Sequence, residues 1–469
     1  MAKRYVITTA QSRSEVDPTA LAVLENYCRI RKAKLIVLPL KYNTTDKDLF
    51  GYEDLYEDYK DAVEAAPLYD PDIEEYLLKG SIRLNDNIMV NSGVYSLPTS
   101  KDPLSGKDSQ SGDLSCVYAG IQHRLKTVPT PGHKLPKILC TTPAVTRPNF
   151  SDTTSGRASQ GYHTLGGVVV EVQDKKIFHL RQLTVNSKGE MYDLDRKYSD
   201  HGPAKKARVS AISYGDLHHI WADPDVLDAT FFNKDSMLRV LDPEVQVVHD
   251  FIDFFSQNHH HVGDKLINYL KRHNKMDDVA EELDMAMRFI AKVSCNRRPS
   301  VIVASNHDEA LDKWLNSGRG DSDPVNAALY HLLNYYRYIN ARMEGPEVIT
   351  TTALQAYSEH FCPETLNHVT FLKRDESFQV RGVEMSFHGD EGANGARGSV
   401  KSFANIGTPV QLGHTHAPQI YRTAWQNGTS SRIKMGYNSG LGGWLQSHTA
   451  VYEDGNRSII NIIEGKWRD

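Results

Sequence analysis

Cysteine is scarce in this chain: five in 469 residues, at Cys28, Cys116, Cys140, Cys295 and Cys362, and no two form a C-x-x-C pair. An odd, scattered set argues against a disulfide framework and a thiolate zinc site, so a reducing, cytoplasmic compartment is expected. Long apolar runs are missing too. Nothing approaches the ~18 apolar residues of a membrane span. The opening "MAKRYVITTAQS" puts no apolar stretch behind its basic pair, so neither a signal peptide nor a membrane partner is expected. There is no excess of basic charge, since the net charge is −5. Nucleic-acid binding is therefore not announced by composition, although a local basic groove or bound cations can supply the attraction. No G-x-G-x-x-G follows the first apolar run, which argues against a dinucleotide site. What is present, 40% apolar and 24% charged residues, suffices for a buried core.

The first segments read strand, helix, strand: "RYVITTA", the amphipathic "DPTALAVLENYCRIRKA" with Asp17 and Pro18 at its start, and "KLIVLPL". Residues 44–79 are acidic and tyrosine-rich and read as a solvated face or helical insertion. Residues 98–115 have loop composition, and 155–194 hold two β-rich runs separated by a polar turn. A second section starts near residue 204. Three apolar β runs there each end in polar residues: "RVSAISYGDLHH", "EVQVVHDFIDFF" and "RPSVIVASNHDEA". Helices lie between and after them. One places Val279, Leu283, Met287 and Ile290 on a single face, and another starts at Asp323-Pro324 and stops before Gly345. The remainder is β-rich. The chain divides on this reading into an N-terminal α/β section, 1–203, and a second section, 204–469.

The ends of those runs carry chemistry. Asp216 and His218 stand two apart, as do His414 and His416 in "QLGHTHAPQ", and in extended backbone such pairs point to one side. Asp250, Asn306, His307 and His388 also sit where apolar β runs stop, which is where open α/β sheets place their sites. Asp253, reckoned one helical turn beyond Asp250, suits either a carboxylate orienting a ligand or the N-terminus of a helix. Nitrogen and oxygen donors without thiolates suit Mn²⁺, Fe or Zn²⁺.

The order Asp-x-His, Asp-x-x-Asp, Asn-His-Asp, His, Gly-His-x-His resembles the calcineurin-like metallophosphoesterase superfamily over roughly residues 205–465. The resemblance implies a metallophosphatase-type two-sheet β-sandwich flanked by helices, with the N-terminal α/β section added. It implies that Asp216, His218 and His416 hold one metal ion, that Asn306, His388 and His414 hold a second, and that Asp250 bridges them. His307 becomes the histidine beside the scissile phosphate. Two divalent ions, Mn²⁺ first, with Fe or Zn²⁺ possible, would clamp both oxygens of an in-line displacement. His249 and Ser305 stand where the family has glycines, so the geometry of those two loops departs from its pattern.

The glycine-rich "GDEGANGARGS" after His388 offers Arg397 and Asn394 as contacts to a phosphate or nucleic-acid backbone. "QNHHHVGD" (257–264) reads as a polar helix segment near the site's rim, with a metal-binding tract as the alternative. The basic clusters at 204–208, 270–275 and 295–299 read as solvated surface or a nucleic-acid path, and Tyr335, Tyr336 and Tyr338 as helix packing. The N-terminal section with this metal set is also similar, more loosely, to metallophosphoesterase-like proteins of tailed phages, among which a pre-early deoxyribonuclease degrades host DNA. A DNA phosphodiesterase, with a homo-oligomer left open, is thus the leading expectation. A phosphatase of small or protein phosphoesters and a non-catalytic docking module are the alternatives.

Overall fold

A computed structural model describes residues 2–42, 67–131, 134–344, 351–435, 438 and 440–469. Most of the acidic tyrosine-rich stretch lies outside the described residues, as does Gly345. The fold is α/β, with several mixed sheets and helices. No helix among the described residues is long and apolar enough to cross a membrane.

The strand–helix–strand start forms as its sequence suggests. Asp17 caps the helix Pro18–Arg31 by accepting from Ala20 N at 2.9 Å. The strands Lys3–Gln11 and Ala33–Leu40 pair in parallel. The β-rich runs of 155–194 become Gly166–Val172 and Phe178–Thr184, which extend this sheet antiparallel to four strands.

A six-stranded sheet holds the three polar-ended runs. In spatial order it is Val369–Phe371, Ser300–Ile302, Val245–Val248, Ala211–Ser213, Ser447–Val451 and Arg457–Asn461. The first four are parallel and the last two antiparallel additions. Side chains alternate across it. Ile212, Val248 and Ile302 join the helical core, where the helix Val279–Val293 buries Val279, Leu283, Met287 and Ile290. Each such burial contributes roughly 1.5–3 kcal/mol. Ala211, Val247 and Val301 face the other way and pack with Val383 and Met385, beside a second sheet.

That second sheet has ten strands and draws on both halves of the chain. Gln379–Val380, Val383–Glu384, Val410–Leu412, Ala424–Gln426 and Gln419–Tyr421 are followed by Arg124–Val128, Lys137–Thr141, Ser115–Tyr118, Ile88–Asn91 and Ser81–Arg83. Ile420 pairs with Leu125 at the join, and Val117, Leu125, Ile420 and Trp425 share one core cluster. The N-terminal sheet is fastened by side-chain amides: Leu180 N donates to Asn461 Oδ1 at 3.1 Å, and Ile459 N to Gln182 Oε1 at 2.8 Å. The ten-stranded sheet thus runs across the 203/204 division drawn from sequence. Backbone pairing across it is long-range, and no local pattern encodes it.

Candidate metal centre

The parallel strands of the six-stranded sheet aim their C-terminal ends at one place. Ala211–Ser213 leads to Asp216 and His218, Val245–Val248 to Asp250, and Ser300–Ile302 to Asn306 and His307. Across the apolar layer, Val383–Glu384 leads to His388 and Val410–Leu412 to His414 and His416.

Asp216, His218, Asp250 and His416 are buried and bring one ligand atom each within 4.8 Å of one another. This group can hold a metal ion. His416 Nε2 is 3.2 Å from Asp216 Oδ2 and 2.9 Å from His218 Nε2. Asp250 Oδ2 lies 3.3 Å from His218 Nε2 and 3.2 Å from His388 Nε2, so His388 joins the group through Asp250. His414 sits beside His388, ring centroids 5.2 Å apart, and its backbone N–H donates to Asp216 Oδ2 at 2.6 Å. Asn306 and His307 line a cleft at the cluster's edge.

The donor set fits a cation on a further ground. Among the described residues, the buried oxygens Asp216 Oδ1, Asp250 Oδ1 and Asn306 Oδ1 accept no hydrogen bond. Buried polar atoms normally find a partner, so the two orphaned carboxylate oxygens in the cluster, with Asn306 Oδ1 at its edge, fit a positive ligand. The charges agree. Burial raises the Asp250 carboxyl, yet the His388, His307 and His218 imidazoles outweigh it and hold the group well below its usual range. Burial lowers His388, and Asp250 more than offsets this, pushing it up to about 9. Burial lowers His414 and His416, so the carboxylates favour positive charge at His218 and His388 rather than at every imidazole of the site.

Backbone conformation does not follow the extended geometry expected for Asp216–His218 and His414–His416. His218, Asp250, His414 and His416 have φ of 41°, 44°, 84° and 58°. Left-handed φ is uncommon for non-glycine residues and collects at functional sites. Ligands converge here because the chain turns sharply at each strand end. His307 likewise lies in a turn, 305–309, rather than in extended chain. Gly413 allows the closest approach: a Cβ there would lie 2.3 Å from Asp216 Oδ1 and 3.0 Å from His249 Cβ.

Asp253 resolves to one of its two readings. It lies in irregular chain and begins no helix, and its Oδ1 accepts from His218 Nδ1 at 2.9 Å. That bond leaves His218 Nε2 facing Asp250 and His416. Asp253 also meets His307, whose Nδ1 is 3.1 Å from the Asp253 carbonyl oxygen and 3.4 Å from Oδ1. The two residues found where the resemblance expects glycine have local uses. His249 contacts Ser213 Oγ through Nε2 at 3.2 Å, and Ser305 Oγ donates to Asp308 Oδ2 at 2.9 Å. Asp308 in turn accepts from Ile252 N at 3.0 Å, tying the loop after Asp250 to the turn bearing Asn306.

Three neighbours were not read from sequence. Arg374 follows the fourth parallel strand, and its guanidinium is shared between Glu309 and Asp390 at 2.6–3.0 Å in a groove beside His388. The signal for it was its place after a strand end, as with the ligands. Trp444 packs edge-on to His416 at 4.1 Å, and Asp308 is buried under the loop. Arg397 and Asn394 are exposed on the loop after His388, whose Gly389, Gly392 and Gly395 line the groove. Among the basic clusters, Arg208 and Arg297 both bind Asp242. Tyr336 stacks on His360 at 3.4 Å and meets the ring of Tyr335 edge-on at 5.6 Å, while Tyr335 and Tyr338 are largely exposed.

Protein A1 of Escherichia phage T5 is 28% identical to this chain over 477 residues, an alignment covering 99% of the chain and 83% of that protein. No protein-family model and no solved structure matches the chain.

Proposed function

We propose that the protein is a metal-dependent phosphodiesterase acting on DNA, built on a calcineurin-like metallophosphoesterase sandwich. The observation that carries this reading is Asp250, whose Oδ2 lies between His218 and His388 while its buried Oδ1 accepts no hydrogen bond among the described residues. A carboxylate so placed suits a bridge between two cations. Asp216, His218 and His416 would hold one, and Asn306, His388 and His414 the other. Mn²⁺ is the first choice, with Fe and Zn²⁺ compatible with the donors. Two such ions supply Lewis acidity and a template for in-line displacement at phosphorus. Asp253 orients His218 and engages His307 Nδ1, which leaves His307 Nε2 as the ring atom able to pass a proton to the leaving oxygen. The phage relative accords with a phage-encoded enzyme working in the host cytoplasm.

The test is parallel incubation of the Mn²⁺-supplemented protein with circular DNA, linear DNA, RNA, a nitrophenyl phosphodiester and a nitrophenyl phosphomonoester. Cleavage of DNA and the diester is expected. Turnover of the monoester alone would make the protein a phosphatase, and metal binding without any turnover would make it a docking module.

A further inference from the structure

A cleft of about 670 Å³ opens beside the candidate centre, beginning at Asp253, Asn306 and His307. Its size falls in the ~300–1,000 Å³ range of small-molecule sites, and such sites are mostly apolar with a few polar groups. Trp221 and Phe255 meet in it at 83°, ring centroids 4.8 Å apart, forming an aromatic corner. The helix Lys265–His273 lines the cleft through Ile267 and Leu270. Leu270 is 44% exposed, so an apolar side chain on the wall is left facing the cleft and solvent. Lys271, buried, sets its ammonium 4.6 Å over the Phe255 ring centroid and donates to the Ser256 carbonyl oxygen at 3.4 Å, so a positive charge stands among the apolar groups.

We infer that this cleft takes the nucleobase of a nucleotide next to the scissile phosphate, and therefore that the substrate strand is engaged with that base unpaired. The inference rests on the phosphodiesterase reading for the position of the phosphate. What hangs from a nucleic-acid phosphate is a nucleoside, and the cleft starts at the residues assigned to that phosphate. Aromatic walls hold any base by its π-face, whereas a paired base is already stacked and cannot enter. Single strands, frayed ends and extruded bases satisfy the cleft.

The test uses the Mn²⁺-supplemented full chain and its Leu270→Asp variant, an exposed position whose substitution puts a carboxylate on the cleft wall. Calorimetry compares thymidine 5′-monophosphate with inorganic phosphate. Kinetics compare thymidylyl-thymidine with its two analogues lacking one base. The native chain should bind the nucleotide roughly ten- to hundredfold tighter than phosphate, the range of one base-stacking contact. It should lose a similar factor in kcat/KM when one of the two bases, and not the other, is removed. In Leu270→Asp both preferences should shrink to near unity with phosphate affinity unchanged. A nucleotide preference that is lost in Leu270→Asp, with no diester turned over, would sink the nuclease reading and leave the cleft assignment standing. Equal binding of nucleotide and phosphate by the native chain, or a preference that survives Leu270→Asp, overturns the inference whatever the hydrolysis shows.

Discussion

The Nδ1 atom of His218 lies 2.9 Å from Oδ1 of Asp253, and both side chains are buried. A carboxylate behind a metal-binding imidazole fixes its tautomer and orientation, and losing one typically costs ~10–100-fold in metal affinity or activity. Asp253→Asn should show a loss of that size in a Mn²⁺ titration followed by diester hydrolysis. An unchanged titration would mean that Asp253 only fills space.

Gly413 should tolerate no side chain. With a Cβ 2.3 Å from Asp216 Oδ1, Gly413→Ala must displace either that carboxylate or the turn carrying His414. Overpacking of this kind costs about 1–3 kcal/mol. We expect a lowered melting temperature together with reduced metal content by elemental analysis. A variant with native metal content and native Tm would contradict the close packing described.

His307→Asn separates proton donation from metal binding. Metal content should be retained. Hydrolysis of DNA, which expels a poor alkoxide leaving group, should fall by ~10²–10⁴-fold, the usual worth of a general acid. Hydrolysis of a nitrophenyl diester should fall much less. Equal losses on the two substrates would reduce His307 to positioning the phosphate, and loss of metal would make it a ligand.

Away from the site, Glu171 is buried against Arg181, Arg31 and Arg4 at 3.0, 2.9 and 3.1 Å. Burial raises its carboxyl, but the three guanidiniums outweigh this and hold it below the usual carboxylate range. A depressed folded-state pKa gives stability that is complete above the unfolded value of ~4.3 and is lost as pH falls below it. Glu171→Gln should therefore destabilise by roughly 3–5 kcal/mol near neutral pH, the usual cost of breaking a buried pair. Thermal melts should show the gap between variant and native chain closing as pH falls below ~4.3. A gap independent of pH would mean that the ion pair is not what Glu171 contributes.

The parts legible in the sequence were those with local causes. Asp17 before a proline announced the first helix, Val279, Leu283, Met287 and Ile290 showed their shared face, and three of the four parallel strands of the six-stranded sheet revealed themselves as apolar runs ending in Asp, Asn or His. Left-handed turns at His218, Asp250, His414 and His416 left no such trace, because these residue types do not demand positive φ. Asp253 read equally as a helix start until the chain after it was seen to be irregular. The pairing of Ile420 with Leu125 joins residues far apart in the chain, and strands from 81–141 supply half of the ten-stranded sheet. A fragment starting near residue 204 would lose those strands and their core.

On the proposed function Asp250 would join two cations and so support hydrolysis of a phosphodiester. The direct measurement is metal stoichiometry and nitrophenyl diester hydrolysis for the native chain and Asp250→Asn in Mn²⁺-replete buffer. The account predicts about two ions per chain and turnover for the native protein. For Asp250→Asn it predicts fewer ions and no turnover above background, since a neutral amide cannot supply the negative bridge. Full activity of Asp250→Asn with metal present would contradict it.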